Sequence, residues 1–262
     1  MMRCRFLVGW GILGLVSMGY AQTIPPGGGL STFDRPGLAD APYLPKQGSF
    51  QVELGSGWSG TSKDGQPLKP GVLLRYAQSS AFEWRAQWNY APPLGILDDF
   101  LSNYQRQLVT FGGKVRCGHQ KGLVPDWGLM GNVMVDPRYQ RAQGKGSPVG
   151  GDLYLVTMHN FPYGLSVNTN WGLGLFPSSP SLVPLGAVAL NWAAGGSWGF
   201  YGEVFGFGGQ GERGQRGWDM GVTCLLRGEK AQLDLSWMDP DVSQEGGGAL
   251  LLGYSQNFSR SR

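Results

Sequence analysis

The chain has 262 residues, with 45 glycines, 10 Trp, 10 Tyr and 12 Phe, but only 15% charged residues and a formal net charge of +3. So small a positive balance, with no basic stripe, excludes a nucleic-acid binder. Beyond the first twenty residues no apolar run approaches the roughly 18 residues that a membrane helix needs, so the chain is either soluble or crosses a membrane as strands.

The start, Met-Met-Arg-Cys-Arg followed by the apolar run Phe6 to Val16 and small residues before Gln22, has the layout of a signal peptide over 1–21. An uncleaved anchor helix is the alternative, for which the run is short and interrupted by glycine. Cys4 would leave with the peptide. Cys117 and Cys224 fall on well-separated predicted strands and read as small apolar residues, not a bridge or a metal pair. Residues 22–47 form an arm rich in Pro and Gly, including Pro25-Pro26-Gly27-Gly28-Gly29 and Asp34-Arg35-Pro36-Gly37, which cannot hold a long regular element.

Strands follow over 48–258, before a short tail at 259–262. The first, Ser49 to Gly57, sets Phe50, Val52 and Leu54 against Gln51 and Glu53. The hairpin from Val72 to Tyr90 is the plainest stretch. Phe82, Trp84, Ala86, Trp88 and Tyr90 share one parity and Glu83, Arg85, Gln87 and Asn89 the other, with Arg75 on the polar side of the preceding strand and a turn at Ser79-Ser80. A short helix is expected at Leu97 to Leu101. Further strands are expected at Gln107 to Cys117, Trp127 to Val135, Asp152 to His159, Gly164 to Leu175 and Gly186 to Ala193, then at Ser197 to Phe207, Trp218 to Leu226, Ala231 to Met238 and Gly247 to Phe258. The loop Phe176 to Pro184, with three prolines, and the polar loop Gly208 to Gly217 are expected to lie outside strands.

About twelve strands result, joined by connections that alternate in length, long and polar after odd strands and shorter after even ones. A soluble sandwich has no reason to alternate in this way, whereas outer-membrane barrels combine short periplasmic turns with long outer loops. The expected fold is therefore all-β, a single antiparallel up-and-down transmembrane barrel with both termini periplasmic. Its apolar parity would meet outer-membrane lipid, with Trp88, Tyr90, Trp198, Trp218 and Trp237 in interfacial girdles. A soluble sandwich would turn the same face inward.

Several ordered stretches carry a resemblance. Asp34-Arg35-Pro36-Gly37, Gly48-Ser-Phe-Gln-Val-Glu53, Leu74-Arg75-Tyr76 with Phe82-Glu83-Trp84-Arg85, Tyr201-Gly-Glu-Val-Phe-Gly206 and Leu252-Gly-Tyr-Ser-Gln-Asn-Phe258 occur in this order over most of the chain. In these the sequence resembles the outer-membrane transporter-like family labelled "MetA-pathway of phenol degradation". The resemblance implies an outer-membrane barrel acting as a transporter or channel for small, apolar or aromatic molecules. A terminal aromatic is the usual signal to the barrel-insertion machinery; here Phe258 is followed by Ser-Arg-Ser-Arg262.

Other chemistry finds little support. Gly206, Gly208 and Gly211 match a nucleotide-loop spacing, but a strand follows where the fingerprint needs a helix. His119 and His159 are the only histidines, and neither has partners at metal-ligand spacing. A hydrolase using His159 with Ser166 or Ser236 has no support from spacing, so neither an enzyme nor a cofactor is expected. The set of most interest is Glu53, Arg75, Glu83, Arg85, Glu203, Asp219 and Asp234, all on the polar parity and hence on the lumen wall. They could form a constriction that selects small solutes by charge, or cross-strand ion pairs that fill a narrow barrel. Asp34 and Arg35 are candidates for a plug in which the arm enters the lumen. The expected function is a passive channel for small molecules; the alternatives are a non-conducting structural or binding barrel and, behind it, a membrane hydrolase.

Overall fold

The structure is a computed structural model that describes residues 33–34, 37–59, 67–88, 108–137, 147–177, 182–208, 215–226, 230–240 and 248–259. The expected signal peptide, Arg35, Tyr90, the helix at 97–101 and most of the tail lie outside the described residues. Within them, twelve antiparallel strands close into a barrel in which each strand pairs with its neighbours in sequence and β1 pairs with β12. The strands are β1 (Phe50–Ser59), β2 (Pro67–Ala77), β3 (Phe82–Trp88), β4 (Val109–Gly118), β5 (Asp126–Val135) and β6 (Val149–Asn160). They continue with β7 (Leu165–Leu175), β8 (Leu182–Gly195), β9 (Trp198–Phe207), β10 (Gln215–Leu226), β11 (Ala231–Pro240) and β12 (Ala249–Phe258).

The period-2 alternation dictates which side chains point in. Trp84, Phe111, Leu153 and Val204 are 55–61% exposed on the outer wall, whereas Glu53, Arg75, Glu83 and Lys114 are 0% exposed inside it. This inverts the soluble pattern, in which charges face water and large apolar groups are hidden. Trp58, Trp88 and Trp237 lie exposed near the end with the long connections, and Trp84, Trp127, Trp192 and Trp198 near the other end. Two aromatic belts separated by an aliphatic band are the outer surface of a transmembrane barrel. The interior is mixed, since Leu73, Met130, Met134, Val156, Met158 and Phe205 also point inward.

The main departures from expectation concern prolines and strand ends. Pro184 lies inside β8, paired with Leu173 of β7, while its carbonyl accepts from Gly208 just beyond the end of β9. Its missing N–H therefore faces the edge of the β9 ladder, where a proline removes no interior bond. Pro67 opens β2, Pro70 follows in it beside a register shift between Gly55 and Gly57, and Pro240 closes β11. Likewise β10 starts at Gln215, so three residues expected in the loop 208–217 belong to the wall.

Candidate functional site: a lumen holding its own arm

The arm enters the barrel at the end with the short turns, where Gly48 N–H donates to Ala77 O at 2.8 Å. From there residues 37–45 lie inside the lumen, as do Phe33 and Asp34, and their polar groups meet both walls. Asp34 and Asp40 are buried, at 8% and 9% exposure.

On the wall formed by β1 to β4, the charged residues of the polar parity converge. Arg75 donates to Glu53 at 3.2 Å and to Glu83 at 2.8 Å, linking three adjacent strands. Arg85 donates to Glu83 at 3.0 Å, and also to Asp34 and, at 3.3 Å, to Asp40 of the arm. Lys114 Nζ reaches Asp34 at 2.8 Å and the Ala41 carbonyl at 2.8 Å, with Glu83 farther off at 3.9 Å. Burial alone would raise the Asp34 carboxyl, but Arg75, Lys114 and Arg85 together outweigh it and hold the group well below the usual carboxylate range. Burial, aided by the charge of Asp34, pushes Asp40 up to about 6 despite Arg85. Closer to the turn end, Tyr43 donates to Asp126 at 3.0 Å, accepts from Asn160 at 2.6 Å and lies under the Arg116 guanidinium, which itself reaches Asp126 at 2.6 Å.

β3 and β9 stand six places apart in the ring of twelve, hence on opposite sides of the lumen. There Glu203 accepts from Leu38 N–H at 2.9 Å and from Ala39 N–H at 2.7 Å. Asn168 and Asn170 of β7 donate to the carbonyls of Ala39 and Leu38 at 3.3 and 3.2 Å. Ala39 packs among Ala187, Ala189, Phe205 and Met238, where small side chains on β8 leave room for the arm's backbone. Gly37 matters for the same reason, because a Cβ there would stand 2.6 Å from Glu203 Oε2. Beside the arm a cavity of about 90 Å³ is bounded by Phe33, Asp34, Ala39, Met158, Tyr201 and Glu203, among others.

All seven charged residues expected on the lumen wall are buried there. Glu53, Arg75, Glu83 and Arg85 join one network, with Asp34 in its midst; Glu203 instead holds arm backbone across the lumen. Asp219 does not join the network. It is the register partner of Glu203 and accepts from Tyr201 Oη at 3.3 Å. Asp234 lies opposite Thr223 in the register of β10 and β11. Lys114 was legible as an inward residue of its strand but not as the arm's anchor. Asp40, Tyr43, Asn168 and Asn170 carry no local signal for their roles. His159 lies against Phe161 with the rings tilted by 42° and faces Gln120, while Ser166 is the register partner of Asn160. Cys117 and Cys224 are free, on β4 and β10. Among the described residues no group of three or more His, Cys, Asp and Glu is arranged to hold a metal.

The sequence matches no protein-family model and no curated protein. Among solved structures, an outer membrane channel from Pseudomonas putida F1 is 13% identical, with a TM-score of 0.56 over 85% of this chain and 99% of that one. A loop-deletion form of OmpT, an outer membrane protein of Vibrio cholerae, is 8% identical, with a TM-score of 0.41 over 81% of this chain and 100% of that one. The likeness to the first shows that this chain has the fold of an outer-membrane β-barrel, a broader class than the family label its motifs suggested.

Proposed function

We propose that the protein is a passive channel of an outer membrane, closed by its own arm and opened when that arm swings out of the lumen. The observation that carries this reading is the way the lumen is filled. The short contacts of Lys114 and the acceptor contacts of Glu203, on opposite walls, are made with the arm. A seal made by a segment through hydrogen bonds and ion pairs can be exchanged, whereas interdigitated wall side chains would have to repack.

Outer-membrane barrels keep their short turns on the periplasmic side, which supports a periplasmic entrance for the arm, and the two aromatic belts suit lipid interfaces. Charged walls favour small polar solutes over the apolar or aromatic ones that the family resemblance implied. Transport needs no catalytic group, and the barrel acts without a cofactor. A non-conducting structural barrel is the second reading, favoured by the Arg75 pairs with Glu53 and Glu83, which join strands β1 to β3 without the arm.

Single-channel recording in planar bilayers separates the two. The wild type should show rare current steps, and Asp34→Asn should raise their frequency about tenfold or more, because it weakens charge-assisted bonds worth roughly 1.5–3 kcal/mol each. A folded Asp34→Asn barrel that carries no current would leave only the structural reading.

A further inference from the structure

The contacts that hold the arm are unusual in kind, because many of them address its backbone. Glu203 accepts from the N–H groups of Leu38 and Ala39, and Glu53 accepts from the N–H of Asp34. Asn170, Asn168, Lys114 and Arg75 donate to the carbonyls of Leu38, Ala39, Ala41 and Tyr43 at 3.2, 3.3, 2.8 and 3.1 Å. The arm's side chains add the carboxylates of Asp34 and Asp40 on the cationic side and, nearer the turn end, the Tyr43 hydroxyl. Backbone N–H and C=O groups are common to every peptide, so a wall that reads them accepts many sequences.

A second observation points the same way. Asn168 and Asn170, 7% and 2% exposed, each keep a buried carbonyl oxygen with no hydrogen-bond partner. Buried acceptors left open are costly, and a further N–H donor would satisfy them. Among the described residues the arm meets both amides only as an acceptor, through their Nδ2 groups.

We infer that the lumen is a peptide-binding site, which the arm occupies in cis and which takes a short, extended, acidic peptide in trans when the arm is out. This rests on the proposal that the arm leaves the lumen, and it adds the class of solute. The ligand carries a carboxylate for Lys114 and Arg85 and, about four residues further on, two successive N–H groups for Glu203. A residue without a side chain just before that pair clears the Glu203 carboxylate, as Gly37 does in the arm. The pairing works by complementarity, since cations on one wall meet the acidic end and a carboxylate on the other meets backbone donors.

The test uses the full-length protein in detergent micelles and a fluorescent peptide with the sequence of residues 33–44. A second peptide keeps only its two aspartates and its glycine, with alanine elsewhere. Asp34→Asn, which loosens the arm, should bind both peptides about tenfold more tightly than the wild type. Adding Glu203→Gln or, separately, Asn170→Ala should each reverse that gain by about tenfold, as should replacing the first aspartate of the peptide by asparagine. Equal binding by wild type and Asp34→Asn, with the barrel shown to be folded by strand circular dichroism and gel mobility, overturns the inference. So does displacement of the peptide by glutarate at the same concentration, which would reduce the site to an anion trap. Peptide binding without conductance in bilayers would remove the channel and leave this site, and conductance without peptide binding would do the reverse.

Discussion

Arg75 and Arg85 are direct register partners across β2 and β3, and Asp34 of the arm lies between them, 3.5 Å from Arg75 Nη1 and bonded to Arg85 Nη1. Two cations facing each other on one sheet destabilise it, and Lys114 nearby lies closer to the arm's Asp34, at 2.8 Å, than to the wall's Glu83, at 3.9 Å. Replacing Asp34 by alanine removes one partner of a buried cluster. The expected loss is about 3–5 kcal/mol, since uncompensated charges remain in the lumen. The urea midpoint in micelles reads it. Wild-type stability in Asp34→Ala would mean that Asp34 does not hold the network.

A side chain at Gly37 should disturb the contact between the arm and Glu203. Gly37→Ala drives a methyl against the Glu203 carboxylate, so either the arm or the carboxylate must move. The arm should then become sensitive to added protease, with a cleavage rate about tenfold above wild type if one charge-assisted hydrogen bond is lost. Cleavage fragments identified by mass spectrometry should map to the arm and not to the strands.

The arm should dock more tightly as the medium is acidified. Asp40 rises from an ordinary 3.8 to about 6 when buried, so docking takes up a proton between those values. A raised carboxyl favours the docked state fully below the lower value, and that advantage is lost as pH climbs through the upper one. Asp34 is shifted downward, so its contribution is intact above 3.8 and fades only in stronger acid. Open probability should therefore fall when pH is lowered from about 7 to about 5, and Asp40→Asn should flatten the dependence. An unchanged slope in Asp40→Asn would assign the effect to another group.

The outer wall offers a separate check. Val204 is 60% exposed, between Val188 and Trp218 in the register. Val204→Arg should cost roughly 2–4 kcal/mol in a bilayer if this surface meets acyl chains near the midplane. Refolding into vesicles, followed by the folded fraction in urea, measures it. The same change on a water-facing surface would be nearly neutral.

Much of the wall was legible because a barrel strand advertises itself locally. Phe82, Trp84 and Trp88 alternate with Glu83, Arg85 and Gln87, and the pleat alone decides which set points inward. Pro184 misled for an equally local reason, because its tolerance depends on where the β9 ladder ends, which is a fact about another strand. Glu53, Arg75, Glu83 and Arg85 were recognisable as inward charges, yet their grouping needed the closure of β1 to β3. The arm's partners were the least accessible. Tyr43 meets Asn160, and Leu38 meets Glu203, across 117 and 165 positions of chain. No period in the sequence records a segment threaded through a hole.

Because Gly48 is fixed to the rim by Ala77 and runs straight into β1, the occupant of the lumen can swing aside but never diffuse away. Confinement of this kind corresponds to an effective concentration on the order of millimolar for short flexible linkers. If the arm leaves the lumen as proposed, a freely diffusing competitor meets a rival that is always present at that level, so the barrel should stay shut at trace amounts of solute and respond only once supply is abundant.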